Sequence, residues 1–281
     1  MMNMKLKWNQ RSVWMVLLVL TLAISGCESN RRFARSTGYD PVTQKEYESE
    51  YETTLNVERQ RTVIPKPIME TTATEKPKHP LNVQRVIEQY DHTVRHRLTN
   101  AFKQAGLPYP SPRLALLAFK QERRLELWGG DVNGPMKKIK IYPFTAFSGE
   151  LGPKRREGDR QIPEGFYRIT FLNPDSAYHL SMKLDYPNPF DRAMAEAESR
   201  KRLGGDIFIH GDSYSIGCIA LGDVAIEELF VLTAMAGLDN VQVIVSPYDL
   251  RREKNIRPLA DIPWTKELYI RIQDSLLAFN Q

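Results

Sequence analysis

Cys218 and His210 are the residues whose types and spacing could do chemistry. They stand eight positions apart in segment 204–223, Gly-Gly-Asp-Ile-Phe-Ile-His-Gly-Asp-Ser-Tyr-Ser-Ile-Gly-Cys-Ile-Ala-Leu-Gly-Asp. A cysteine thiol titrates near pH 8.5, so at neutral pH it is mostly protonated. An imidazole beside it can take that proton and later return one to a leaving amine. Gly217 precedes the cysteine and, lacking a side chain, opens the approach to sulfur. The N–H groups of Gly217 and Cys218 could hold an oxyanion. Ser215 shapes the same loop and could donate to that oxygen. Structural alternatives are a buried small hydrophobe at Cys218 and a satisfied core histidine at His210, and residue types alone do not decide between them. A metal centre fits less well, because His210, Cys218 and nearby Asp212 fall short of the four Cys and His ligands of a structural zinc site. The group that orients His210 is open among Asp212, Ser213 and a backbone carbonyl.

Alternation places Ile207 and Ile209 on one face of a strand and Phe208 and His210 on the other. His210 ends that strand where Gly211 lets the chain turn. Further strands are predicted over 114–120, 124–128, 138–147, 165–171, 177–184 and 206–210, punctuated by Pro, Gly, Asn and Asp. Val241, Val243 and Val245 alternate as a last strand. Helical spacing of Val83, Val86, Ile87, Tyr90, Val94, Leu98 and Phe102 predicts a helix that Gly106 and Pro108 end. A second helix is predicted over 223–236, with Asp223 as N-cap and Gly237 closing it. A third is predicted over 262–279. The pattern is mainly β, a sandwich- or barrel-like domain with a few flanking α-helices.

Residues 1–12 carry Lys5, Lys7 and Arg11 and no acid, and an apolar run follows over 13–24. A basic segment before about 7–15 apolar residues reads as an export signal, and the run is short for a membrane span. It ends in Ile24-Ser25-Gly26-Cys27, which resembles the bacterial lipobox. That resemblance implies removal of residues 1–26 and lipidation of Cys27, hence a membrane partner through the N-terminal lipid. Glu28 after the cysteine implies an outer-membrane lipoprotein facing the periplasm. The alternative is a plain signal with a chance cysteine. Residues 27–80 are polar and aperiodic, the composition of a disordered tether. As a flexible coil it would span roughly 40 Å, and fully extended about 180 Å. Without the signal the chain has 36 basic and 34 acidic residues. That balance makes no electrostatic case for nucleic acid. With Cys27 in its own motif, a Cys27–Cys218 disulfide is the lesser reading.

Four ordered blocks carry a further resemblance. They are Ile209-His210-Gly211 with Ser215-Ile216-Gly217-Cys218; residues 147–154, Phe-Ser-Gly-Glu-Leu-Gly-Pro-Lys; residues 157–167, Glu-Gly-Asp-Arg-Gln-Ile-Pro-Glu-Gly-Phe-Tyr; and His179-Leu180-Ser181 with Tyr186-Pro187-Asn188. Together they resemble the L,D-transpeptidase catalytic (YkuD) family, and more narrowly its YafK-like branch. The organisation so implied is a helix region over 81–112, the catalytic domain over 113–246 and a helical extension over 247–281. The resemblance implies Cys218 as nucleophile and His210 as base, acting on peptidoglycan stem peptides through a thioester, in cell-wall crosslinking or remodelling. Stem peptides carry carboxylates, which makes Lys154, Arg160 and His179 candidate substrate-binding groups along with Gly211. No cofactor is implied. Most of the wider family has His where Ile216 stands, Arg where Ala220 stands, and a longer interval from base to cysteine. These differences leave open whether an amine or water resolves the thioester. An amine gives a transpeptidase; water gives a hydrolase or amidase, with wall-linked lipoprotein among its substrates. The reading from another class is a non-catalytic wall-binding lipoprotein.

Overall fold

A computed structural model of the chain describes residues 82–279. The signal, Cys27 and the tether lie outside the described residues. Four helices and eight strands follow in chain order: α1 (Val83–Ala105), β1 (Arg113–Phe119), β2 (Arg124–Gly130), β3 (Lys137–Pro143), β4 (Gly165–Ser176), β5 (His179–Leu184), α2 (Pro189–Ala197), β6 (Phe208–His210), β7 (Ile219–Ala220), α3 (Asp223–Ala236), β8 (Val241–Ser246) and α4 (Thr265–Leu276). The strands form one eight-stranded sheet, ordered β3-β2-β1-β8-β4-β5-β6-β7. It curls into a half-barrel, so the mainly β fold with flanking helices is what the chain adopts.

The centre of the sheet is buried on both faces. Leu114, Leu116 and Ala118 of β1 enter one core with Val86, Val94, Leu98 and Phe102 of α1 and with most of α3. Ala115, Leu117 and Phe119 point the other way, into a second core closed by Leu268, Tyr269, Ile272 and Leu276 of α4. A strand covered on both sides reads as a continuous apolar run rather than an alternation. That is the sequence of β1. The same logic holds for α3, where every residue from Ala225 to Thr233 is buried.

Helix ends follow their local chemistry. The Asn82 side chain accepts from the Arg85 N–H to cap α1, and Gly106 closes it in the left-handed region. Helix α2 is absent from the sequence expectations. Its start carries a full capping box between Asn188 and Asp191, with Pro189 in the first turn. Helix α3 has the predicted span, but Gly222 is its N-cap and Asp223 its first helical residue. The Asp223 carboxylate instead accepts the Asp212 N–H at 2.8 Å, outside the helix. The strand expected over 138–147 stops at Pro143, where the chain leaves the sheet. Strand β4 runs on to Ser176, because β5 folds back to pair with it. Among the described residues no helix is long and apolar enough to cross a membrane.

Candidate active site

Cys218 and His210 lie on the last two strands of the sheet, at the end farthest from β3. β6 ends at His210, and β7 begins immediately after Cys218. The two strands are parallel, with Ile209 opposite Ile219 and His210 opposite Ala220. This register sets Cys218 beside Phe208. The Phe208 N–H donates to Cys218 Sγ at 3.4 Å, and the thiol donates to the Asp206 carbonyl at 3.6 Å. Burial pushes the Cys218 thiol up to about 11; the Phe208 N–H opposes that shift and the Asp206 carboxylate adds to it. At neutral pH the sulfur is therefore a thiol that needs a base to release its proton.

His210 is buried. Its Nδ1 lies 2.6 Å from the Gly211 carbonyl oxygen. A carbonyl only accepts, so Nδ1 carries the hydrogen and Nε2 of the neutral ring holds the free lone pair. Of the three orienting partners weighed from sequence, the structure selects the backbone carbonyl. Burial pulls the imidazole pKa below its ordinary value, while the Gly211 hydrogen bond and Asp212 push the other way. Among the described residues no hydrogen bond joins Cys218 to His210. Catalytic hydrogen bonds are often formed only once substrate is seated.

The loop between the two residues is pinned from three sides. Gly211 lies so close to neighbouring chain that a Cβ there would come within 2.7 Å of the Tyr178 carbonyl and 2.6 Å of Asp223 Oδ1. Asp212 adopts a left-handed conformation, and its carbonyl accepts from Thr145 Oγ1 at 2.7 Å. Ser215 Oγ donates to the Cys218 carbonyl at 2.8 Å and accepts the Gly217 N–H at 3.3 Å. Gly217, at φ 124°, packs against the backbone of Arg160 and Gln161. Segment 144–164 forms the wall behind the loop. Thr145 N–H donates to the Ala220 carbonyl at 2.9 Å, and Ser148 Oγ lies 3.1 Å from Ser215 Oγ. A buried cluster holds that wall. Lys120 Nζ donates to the carbonyls of Gly152 at 2.6 Å and Ile162 at 2.9 Å and pairs with Glu164 at 3.0 Å. Glu164 in turn accepts from Gly152 N–H and Tyr269 Oη.

Residues 115–245 match the family model described as the L,D-transpeptidase catalytic domain, YkuD. Over this stretch the chain is similar to that family. An Escherichia coli (strain K12) protein described as "Putative L,D-transpeptidase YafK" is 37% identical over 135 residues, 46% of this chain and 52% of the relative. The chain thus spans about half the length of the curated relative it matches. Among solved structures, the helical cell shape determining protein Pgp2 from Campylobacter jejuni is 25% identical, covering 49% of this chain and 48% of its own, with a TM-score of 0.40. Bd1075 from Bdellovibrio bacteriovorus is 21% identical over 60% of this chain and 56% of its own, with a TM-score of 0.36.

Within the matched stretch the candidate binding residues part company. Lys154 is buried and donates to Asp159 Oδ1 at 2.5 Å and the Arg156 carbonyl at 3.0 Å. Asp159 also accepts three backbone N–H groups, from Arg155, Arg156 and Gln161, and its pKa falls below the usual range. Lys154 therefore braces the wall, and Asp159 pairs with it rather than with Arg160. Arg160 is exposed beside Gly217, and its carbonyl accepts from Ser148 Oγ. His179 lies 3.0 Å from Glu227 on α3, which also binds Arg97 of α1 at 2.6 Å. His179 thus ties the β4–β5 turn to the helices.

Sequence reasoning passed over Tyr178, next to His179. Its ring centroid lies 4.6 Å from that of His210 at a tilt of 34°. Tyr214 follows at 6.4 Å, nearly parallel at 14°. An isolated tyrosine at a strand turn carries no sequence signal for such a contact. Among the described residues no group of three His, Cys, Asp or Glu side chains is arranged to hold a metal ion.

Proposed function

We propose that the chain is a cysteine acyltransferase of bacterial peptidoglycan, with Cys218 as nucleophile and His210 as base and then acid. The observation that carries this is the tautomer of His210: Gly211 holds the Nδ1 proton, so Nε2 is the basic atom of a buried ring one strand away from a protonated thiol. Nε2 takes the thiol proton as sulfur attacks an amide carbonyl of a stem peptide. The Cys218 N–H meets the charge on the carbonyl oxygen, since the Gly217 N–H is spent on Ser215 Oγ. The carbon–nitrogen bond breaks, the leaving amine takes the proton from His210, and a thioester remains. An acceptor amine then regenerates the thiol and leaves a new peptide link. In this reading Arg160, exposed at the loop, meets a substrate carboxylate. Ser215 acts by shaping the loop, because its proton goes to the Cys218 carbonyl.

The test is to incubate the full chain in detergent with purified muropeptides, with and without an added D-amino acid, and to read products by mass spectrometry. Crosslinked dimers or exchanged termini are expected. Shortened peptides alone would show that water resolves the thioester. Unchanged muropeptides would leave a binding protein.

The resemblance of residues 24–27 to a lipobox supports a lipid anchor on a membrane facing the wall. Metabolic labelling with an alkynyl fatty acid is expected to mark the wild-type chain and not a Cys27→Ala variant. An unlabelled wild type removes the anchor from the proposal.

A further inference from the structure

We propose that Tyr178 is a positioning residue for His210, its ring holding the imidazole in plane and dry; this rests on the assignment of His210 as the base. The Gly211 carbonyl fixes one edge of the imidazole and nothing more. A single in-plane hydrogen bond leaves the ring free to swing about it unless something packs on the face. Tyr178 supplies that face at 4.6 Å, within the range of favourable ring contacts.

The turn between β4 and β5 is built to put it there. The pairing of the two strands is irregular between Asn173 and Ser176. Ser176 Oγ accepts the Tyr178 N–H at 3.1 Å. His179 follows in a left-handed conformation, at φ 70°, and is held by Glu227, so the turn is bound to α3. The Tyr178 carbonyl rests on Gly211, where no side chain would fit. Tyr178 is thus fixed from both neighbours and from the residue after the base. The same ring lies close enough to Cys218 for a charge on sulfur to raise the phenol pKa. Tyr214, exposed on the loop, lies 6.4 Å from the Tyr178 ring and nearly parallel to it.

The covering has an electrostatic consequence. Removing the Tyr178 ring admits water to His210 and takes away much of the burial that depresses its pKa. The charged group acting on His210 is the Asp212 carboxylate on its own loop; Asp223, at the start of α3, holds the Asp212 N–H, and Cys218 adjoins the neighbouring strand β7. From β5 its pairing partner is Ser181, which does not titrate. The Asp212 carboxylate favours protonation, so loss of the ring moves the His210 pKa upward, towards about 6.5.

The experiment compares wild type, Tyr178→Phe and Tyr178→Ala in the full chain. Tyr178→Phe keeps the ring and is expected to stay within about threefold of wild type. Tyr178→Ala is expected to lose about 10- to 100-fold in kcat with little change in KM, as a base held out of line does. The acid limb of its pH profile moves up. NMR titration of histidine-labelled chain, with His210→Gln assigning the signal, reads the same shift without substrate. Should Tyr178→Ala fail to fold, Tyr178→Leu takes its place, filling volume without an aromatic face. An unmoved His210 titration in the folded variant overturns the proposal, as does a Tyr178→Phe variant as impaired as Tyr178→Ala. If no variant, nor wild type, turns over muropeptides but the titration moves, the positioning stands and the reaction assigned above does not.

Discussion

Cys218→Ser is expected to lower turnover of muropeptides by at least about three orders of magnitude while leaving the fold intact. The Cβ–O bond is shorter than Cβ–S, so the oxygen stops farther from the carbonyl than the sulfur it replaces. The surroundings that push the thiol up to about 11 penalise an alkoxide more, since its proton is far harder to remove. His210 cannot make up the difference, because burial has already weakened it as a base. The pH profile of the wild type follows from the same two groups. As the proposed base His210 works as the neutral ring, and its folded pKa lies below the ordinary 6.5. Activity should therefore hold as pH falls through 6.5 and drop only at the lower, depressed value. The sign is the same for stability: the unfolded chain binds the proton first, so acid below 6.5 favours unfolding. On the alkaline side no thiol titration interrupts the plateau before about pH 10. Steady-state rates from pH 5 to 9 check this. A serine variant with more than a few per cent of wild-type turnover would remove Cys218 from the nucleophile's role.

Lys120→Met is expected to destabilise the chain by about 3–5 kcal/mol, the cost of leaving a buried carboxylate without its cation. Neither Lys120 nor Glu164 exposes any side-chain surface. The ammonium also satisfies the carbonyls of Gly152 and Ile162, which lose a donor with it. For a domain of this size that is a fall of about 6–20 °C in Tm. The double variant Lys120→Met, Glu164→Gln should recover part of it, because no charge is then stranded. Thermal unfolding followed by circular dichroism measures both. A single variant within about 2 °C of wild type would show that the pair does not hold the wall. Because the pair anchors the segment that carries Ser148 and Arg160, activity should fall at temperatures where the variant is still folded.

The parts of this fold legible in sequence are those with a long period or a committed turn residue. The span of helix α3 is read to the residue because its apolar side chains keep helical spacing through its fourteen residues and Gly237 stops it. Cys218 and His210 are legible because glycines flank them in a recognisable order. Strand β7 is not, since two residues carry no alternation. Helix α2 lies hidden after Tyr186-Pro187-Asn188, where the capping box of Asn188 and Asp191 was the available signal. Asp223 looked like a cap and proved to be a staple for Asp212, a choice set by where the loop lies and invisible along the chain. Lys154 and Arg160 read alike as cations six residues apart. Only the fold buries one against Asp159 and turns the other outward. Tyr178 and Lys120 belong to the same class, because their contacts are made across the sheet.

Strand β7 has one more consequence. It is the border of the sheet, and a border strand offers unpaired main-chain groups to any other chain that can lie beside it. Here the outer side is taken by the protein itself: Ala146 bridges to Ala220, and the Thr145 N–H fills its carbonyl. The stretch next to Cys218 is thereby closed to β-addition. The border of the sheet is thus kept from becoming a seed for self-association.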